Sequence, residues 1–453
     1  MKQGTDNSSI VKEVTDDFLY RKDARRFLEL QWQLNIDFLN GRQNNHITNT
    51  ESVANLGRRF WWQENQVFNH ISPLIESRLV RLAESETRVV VVPTSSDEKD
   101  REKAEKCEKI LRATFKRLDM QSLADQANMW AEITGTAFYK VVWTADGGKV
   151  IGNIDGKDIK EGDVQIIVAS PFEVYIDNLA RREMNNNTSI IHAKAMPVDL
   201  IQRTWGVTVA GRDVESANQG VMKNAELVIE RYKNGELLIV AGEKLLYHGV
   251  YDVLPFVRQT AESVPGNFYG TSVIERVIPV QRAYNSVKNR KAEFLKRLAC
   301  GVLAIEDGSV DVEALENDGL APGTILTFRA GTRAPSFLDS TTVPTSLEAE
   351  EERLLSEFCS ITGGSDLVRG ARMNISGVAL NILVEQDRLR IRRSIRSLQN
   401  AHVKVATKVL NLFKKHAKNE RLEKLSNGKN VEIFTFSSDD ISSDQVEIEV
   451  TNE

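Results

Sequence analysis

From Thr271 to Leu298 the chain runs without a helix breaker other than Pro279, a long helical stretch that few small folds can accommodate. It carries Arg276, Arg282, Lys288, Arg290, Lys291, Lys296 and Arg297 against Glu275 and Glu293, so it is a basic rod with a local charge of about +5. Residues 299–345 then change character. Short β-like pieces, Gly301 to Ile305 and Thr324 to Phe328, lie among Gly, Pro, Asp and Ser, which suggests a small inserted α/β module. An acidic helix, Ser346 to Ile361, follows with Glu348, Glu350, Glu351, Glu352 and Glu357 against Arg353 alone. A glycine-bearing loop, Gly363 to Ser376, leads into the longest helix, about Gly377 to Lys418. There Ile391, Ile395, Leu398, His402, Val405, Val409 and Leu412 step by four and three.

The first 260 residues read as mixed α+β. Phe27, Leu30, Leu34 and Phe38 recur at helical spacing up to Gly41, which can end the helix in the left-handed conformation. Phe68, Ile71, Ile75, Leu79 and Leu82 predict a second helix, with Pro73 at its first turn or a kink, running into a strand Arg88 to Val92 that ends at Pro93. Asp97 to Leu118 is densely charged with Cys107, Leu111, Phe115 and Leu118 on one stripe, a solvated helix with one buried face. Another helix is expected to end near Gly135. Ala137 to Trp143 and Lys149 to Ile154 are β-like, and Asp146-Gly147-Gly148 between them has the composition of a hairpin turn. Further β-rich pieces lie at Gln165 to Ala169, Leu227 to Tyr232, Glu236 to Val240 and Val446 to Val450.

Charge and motifs narrow the function. With 59 basic and 64 acidic side chains the net charge is −5, so the chain as a whole is not a nucleic-acid binder of the basic, counterion-releasing kind. Cys107, Cys300 and Cys359 are too far apart for a Cys-x-x-Cys metal site and odd in number, which fits a reducing cytoplasm. The start, Met1 to Asn7, is polar and no apolar run approaches the roughly 20 residues of a membrane helix, so neither export nor insertion is expected. ATP hydrolysis needs Gly-Lys followed by a magnesium-binding hydroxyl, and the three Gly-Lys pairs precede Val150, Asp158 and Asn430. Histidines 46, 70, 192, 248, 402 and 416 show no metal-ligand spacing, and Gly363-Gly364-Ser365 lacks the later glycine of a nucleophile elbow because Leu367 stands there. Consecutive carboxylates from Glu348 to Glu352 point around a helix rather than converging, which speaks against a two-metal nuclease. No enzyme, metal or cofactor is expected.

One stretch is more specific. Leu254-Pro255-Phe256, then Phe268-Tyr269-Gly270-Thr271-Ser272-Val273-Ile274-Glu275, then Ile278-Pro279-Val280-Gln281-Arg282-Ala283-Tyr284-Asn285 resembles the central signature of the portal proteins of tailed bacteriophages. Gly270 can make a turn that Ser272 caps as the helix opens. Glu64-Asn65-Gln66-Val67-Phe68-Asn69-His70-Ile71 and Ser170-Pro171-Phe172-Glu173-Val174-Tyr175-Ile176-Asp177 are similar to two further landmarks of that family, in the family's order. The resemblance spans about residues 60 to 418. The ending after Val446 to Val450 departs from family members with a long C-terminal helical barrel, and a small crown is expected.

The resemblance implies an α+β ring subunit: a wing (1–268), a stem helix (269–298), a clip (299–345), a second stem helix (346–362), a tunnel loop (363–376) and a crown-directed long helix with a short crown (377–453). It implies a homo-oligomeric ring, a dodecamer, at one capsid vertex of the virion, assembled in the host cytoplasm. Double-stranded DNA would pass through it, and large terminase, capsid and scaffolding proteins and a head-completion or tail adaptor would be its partners. The basic rod and the acidic helix would then be neighbours, within a subunit or between adjacent ones, through Lys288, Arg290, Lys291, Glu348 and Glu351. Glu306, Asp307, Asp311, Glu313, Glu316 and Asp318 would present the clip to the motor. Gly363, Gly364, Ser365, Arg369, Gly370, Arg372 and Asn374 would line the tunnel, with Arg369 and Arg372 either touching DNA or pairing with a neighbouring subunit. A conduit must not hold its cargo, so mostly neutral or acidic tunnel walls are expected. A capsid scaffold or adaptor without portal function is the alternative.

Overall fold

A computed structural model of the chain describes residues 7–451 apart from 56, 58–59, 61–62, 86–87, 94, 155–156, 182, 185–186, 217–219, 301, 314, 316–324, 339–344, 363–376, 428–429 and 442–445. The architecture is mixed α+β, as the sequence suggests. A three-stranded antiparallel sheet lies at its centre, with Thr136–Thr144 between Phe256–Thr260 and Asp163–Ala169. The helix Gly377–His416 crosses this sheet, and Val405, Val409 and Phe413 pack with Tyr139, Val141, Val164 and Ile166 in one core. Glu98–Arg117 adds Cys107, Ile110 and Leu111 to the same core, with Phe115 partly buried against it. Arg88–Pro93 pairs with Val446–Thr451, so the last described strand returns to the segment that follows helix Ile71–Glu84.

A second, six-stranded sheet runs Lys244–Val250, Glu236–Ala241, Gly220–Lys233, Ser189–Pro197, Val174–Ile176, with Arg212–Ser216 paired to one end of Gly220–Lys233. Helix Asn7–Ala24 covers one face through Val11, Val14 and Phe18. Its pattern escapes a reading by apolar periodicity because the fourth member of its buried face is Arg21, bonded to the Ser189 carbonyl (3.1 Å) and hydroxyl (2.8 Å). The two sheets are bridged by buried charge. Lys140 Nζ donates to both Glu230 oxygens (2.8 and 2.6 Å) beside His192, and Tyr232 also donates to Glu230 (2.8 Å). Burial opposes ionisation of Glu230, but Lys140 overrides it and holds the carboxyl far below its ordinary range.

Three expectations change. The helix Arg26–Leu39 ends before Gly41 (φ +80°) as expected, yet Phe27 is 67% exposed. The inward face is Trp32, Leu34, Asn35, Asp37 and Phe38, because the buried Arg25 at the helix start fixes the rotation. The Asp146-Gly147-Gly148 turn forms, but the strands around it do not pair with each other. Thr136–Thr144 takes Asp163–Ala169, and Val150–Ile154 instead pairs with Lys157–Lys160 as a separate ribbon. Gly162 permits this, since a Cβ there would lie 2.5 Å from the Trp143 indole nitrogen. Finally, the described part of the Thr324 to Phe328 piece is not a strand. Val302–Ala304 pairs with Ser336–Leu338, while Ile325 and Phe328 are exposed.

His402, on the sheet-facing side of the long helix, is buried against the Tyr139 ring, and its Nε2 has no hydrogen-bond partner among the described residues. Burial pushes its imidazole down to about 4, against an ordinary value near 6.5. As pH falls through about 6.5 the unfolded chain takes up a proton that the folded chain refuses until about pH 4, so stability is lost across that window. His402→Leu is expected to remove up to about 3 kcal/mol of that acid-dependent loss. Urea unfolding of both proteins at pH 7, 6, 5 and 4 checks this, and equal slopes would count against it.

Candidate functional site

The rod helix Val273–Cys300 is set in place by the segment before it. Tyr269 is fully buried, and its hydroxyl donates to the Val174 carbonyl (2.9 Å) while accepting from Arg25 Nη1 (2.9 Å). Arg25 also donates to the carbonyls of Pro171 (2.9 Å), Phe172 (2.6 Å) and Val174 (2.5 Å), and lies 3.4 Å over the Tyr175 ring. One guanidinium thus ties the Ser170 to Asp177 segment to Tyr269, using the donor fork that lysine lacks. Gly270 comes next. A Cβ there would lie 2.4 Å from the Gly135 carbonyl oxygen and 2.5 Å from that of Glu262. Glycine is required here for close approach of two backbones rather than for positive φ, which belongs to Gly135 (+86°). The helix then opens on a reciprocal cap. Ser272 Oγ accepts from the Ile274 amide (3.1 Å), and the Glu275 carboxylate accepts from the Ser272 amide (3.3 Å).

Along its length the rod holds an extended segment. The amides of His70, Phe68, Gln66 and Glu64 donate to the side chains of Gln281 (3.1 Å), Asn285 (3.1 Å), Asn289 (3.0 Å) and Glu293 (3.0 Å). Gln281 and Asn289 return bonds to the carbonyls of Phe68 (2.8 Å) and Gln66 (3.0 Å). The register follows from geometry. Four helical residues rise about 6 Å, and two extended residues span about 6.6 Å, so every fourth side chain of the helix meets every second amide of the strand. The side chains of one helix face thereby do what a neighbouring β-strand would do.

Beside the ladder, the acidic helix Thr345–Thr362 packs on the rod in the same chain, and its Phe358 meets the His70 ring. Lys288 contacts Glu351 (2.6 Å), and Lys291 contacts Glu348 (3.2 Å) and Glu351 (3.4 Å). Burial acts against the Glu351 carboxylate, yet the Lys288 hydrogen bond keeps its pKa below the ordinary value. Four of the five stem residues read from sequence are thus brought together, while Arg290 is exposed and takes no part in these contacts. The rest of the rod is largely compensated too. Arg276 pairs with Glu262, Lys296 with Glu64, and Arg282 stacks on Phe38 and donates to the Asn45 carbonyl (2.7 Å).

Beyond the two helices, the Val302–Ala304 and Ser336–Leu338 ribbon closes the insert. Glu306, Asp307, Asp311 and Glu313 are exposed there, with Glu306 accepting from the Arg333 amide (2.7 Å). Glu316 and Asp318 lie outside the described residues, as do Gly363, Gly364, Ser365, Arg369, Gly370, Arg372 and Asn374. Among the described residues there is no cluster of ligands for a metal ion, and no helix is long and apolar enough to cross a membrane.

A family model described as phage P22-like portal protein matches residues 208–451. The chain belongs to this portal family. Membership makes it a structural component of the phage capsid and argues against a scaffold or adaptor without portal function. No curated protein matches the chain. The matched span holds Tyr269 to Asn285, both paired helices and the long helix. The landmarks Glu64 to Ile71 and Ser170 to Asp177 lie upstream of it, and the portal signature reaches them through the amide ladder and through Arg25. The Ser272 cap was legible, but two signals for these contacts stand in the sequence unread: Glu275 as the reciprocal member of a capping box, and Gln281, Asn285, Asn289 and Glu293 at four-residue spacing. Nothing local to Arg25 marks it.

Two substitutions separate the ladder from the ion pairs. Gln281→Leu leaves the His70 amide and the Phe68 carbonyl unpaired in a buried place and is expected to cost about 2–3 kcal/mol. Lys288→Ala, at a partly exposed pair, is expected to cost less than about 1 kcal/mol. Chemical denaturation of the two variants checks the order, and a reversed order would place the stability of the stem in its charges. Gly270→Ala should be worse than either, costing about 3 kcal/mol or more because neither backbone can withdraw. A wild-type thermal midpoint in that variant would mean the crossing is looser than described.

Proposed function

We propose that the chain is the subunit of a dodecameric portal ring at one capsid vertex, through which double-stranded DNA enters during packaging and leaves on ejection. Residues 1–268 would form the wing, 269–298 and 346–362 the stem, 299–345 the clip, 363–376 the tunnel loop and 377–453 the crown-directed helix and small crown. Large terminase, and later a head-completion or tail adaptor, would dock on the clip through Glu306, Asp307, Asp311, Glu313, Glu316 and Asp318. The protein would assemble in the host cytoplasm with capsid and scaffolding proteins. Its role is mechanical rather than enzymatic.

The observation that carries this reading, beside family membership, is the self-neutralised helix pair. A rod with a charge of about +5 would grip passing phosphates, since neutralising several of them produces tight, salt-sensitive binding. Here Lys288, Lys291, Arg276 and Lys296 are each answered by a glutamate of the same chain. That leaves a stem wall suited to sliding. Arg369 and Arg372 would supply sparse, transient phosphate contacts, or pair with a neighbouring subunit.

Negative-stain images of the purified protein should show closed rings with a central hole, and a monomeric mass at all concentrations would remove the reading. A clip variant divides the labour further. The insert closes between Ala304 and Ser336, so replacing residues 305–335 by Asn-Gly should keep a hairpin there. Rings are expected to survive while terminase binding is lost. If rings fail while the subunit remains folded, the insert is an assembly element instead.

A further inference from the structure

The long helix carries a charge that the stem does not use. Between it and the segment 253–265 lies a groove whose charged lining is Arg258, Arg393, Arg396, Lys404 and Lys408, with Glu183 as its acid among the described residues. Glu183 answers only Lys404, at 3.9 Å and in the open. Arg393 and Arg396 are exposed and make no ion pair or hydrogen bond among the described residues. Lys408 is half-buried on the Leu254 carbonyl, and burial together with Lys404 pushes its ammonium down to about 8. The groove is short of anions.

The acidic helix has the opposite surplus. Glu351 and Glu348 answer Lys288 and Lys291, but Glu350, Glu352 and Glu357 surround Arg353 alone, and Glu352 makes no ion pair among the described residues. This face does not serve the groove of its own chain. Thr362, at the far end of the helix, shares a cavity lining with Arg393. Glu352 lies ten residues back, about 15 Å along the axis. In a ring built on one rotation each subunit meets its neighbour through two different surfaces, which must complement each other. Resting on the ring reading, we propose that the side of the acidic helix turned away from the rod, flanked by Glu350 and Glu352, docks in one subunit on the Arg393 and Arg396 end of the groove of the next. A second copy fits better than a long polyanion, because the net charge of −5 repels the latter overall while leaving a short acidic helix free to pair locally. The cations from 393 to 408 run about 22 Å along their helix, within the roughly 27 Å of the acidic one.

Charge exchange tests it. Arg393→Glu with Arg396→Glu, and separately Glu350→Lys with Glu352→Lys, should each raise the concentration at which rings form by about tenfold or more. The combined four-residue variant should recover most of the loss. The side chains changed are exposed or partly exposed, so thermal midpoints of the subunits should stay near wild type. As an independent readout, Arg396→Cys with Glu352→Cys in a Cys359→Ser background should give a ladder of covalent oligomers on oxidation. Wild-type assembly by the arginine variant, absence of rescue in the combined variant, or a cross-link confined to monomer would each overturn the docking. So would an arginine variant whose rings are intact but whose binding of a DNA duplex is lost, which would assign the groove to nucleic acid. Absence of rings in the wild type would remove the ring reading itself and is told apart by that control.

Discussion

The placement of the rod helix depends on its polar ladder to residues 64–70. Without it, an extended segment of backbone would lie against a helix with buried amides unmet, a cost of about 1–3 kcal/mol for each orphaned group. Gln281, Asn285 and Asn289 are nearly or fully buried and could not be tolerated there without such partners. The ladder is also directional. It fixes the rotation of the rod about its axis, and so decides that Lys288 and Lys291 face the acidic helix while Tyr284 meets His70 edge to face. At the other end of the same segment, Gly270 against Gly135 and Tyr269 on Arg25 fix where the helix begins. Position, rotation and origin of the rod are thus set by three separate contacts, all with parts of the chain remote in sequence.

Charge is handled differently in the two halves of the molecule. Between the sheets, Lys140 is buried and Glu230 nearly so, with His192 and Tyr232 completing the cluster, an arrangement in which loss of one partner strands the other. Along the stem the pairs are partly exposed and individually weak. Their collective effect is electrostatic rather than stabilising: they cancel the field of the rod along a surface that the proposed function requires to be slippery. The groove on the long helix is uncancelled, and that contrast within one chain is what points to a neighbour.

Much of the architecture was legible because it is periodic. The three long helices, the helix end at Gly135 and the strands at Gln165 to Ala169, Leu227 to Tyr232 and Glu236 to Val240 follow from apolar spacing and from turn residues, which act locally, whereas Ser189–Pro197, at the middle of its sheet, was not read. The failures share one cause. Phe27 fits the helical stripe but faces outward because buried Arg25 sets the rotation. Asp146 to Gly148 turns the chain as its residues dictate, but a turn does not choose the partner strand when a better-buried one is available. Helix Asn7–Ala24 was invisible because an arginine completes its inward face.

By itself the sequence determined the helical rods, their opposite charges, the mixed α+β class and, through Tyr269 to Asn285, the family. These depend on residue type and short spacing. Tertiary structure alone decided that the rod and acidic helix pair within one chain, that Gly270 is a crossing point rather than a bend, and that the amides of Glu64 to His70 belong to Gln281, Asn285, Asn289 and Glu293. Each of these joins groups some 60 to more than 200 residues apart. Which donor meets which acceptor over such distances is settled by the packing of the whole core, because an unpaired buried polar group is too costly to leave and only the folded chain shows where its partner is.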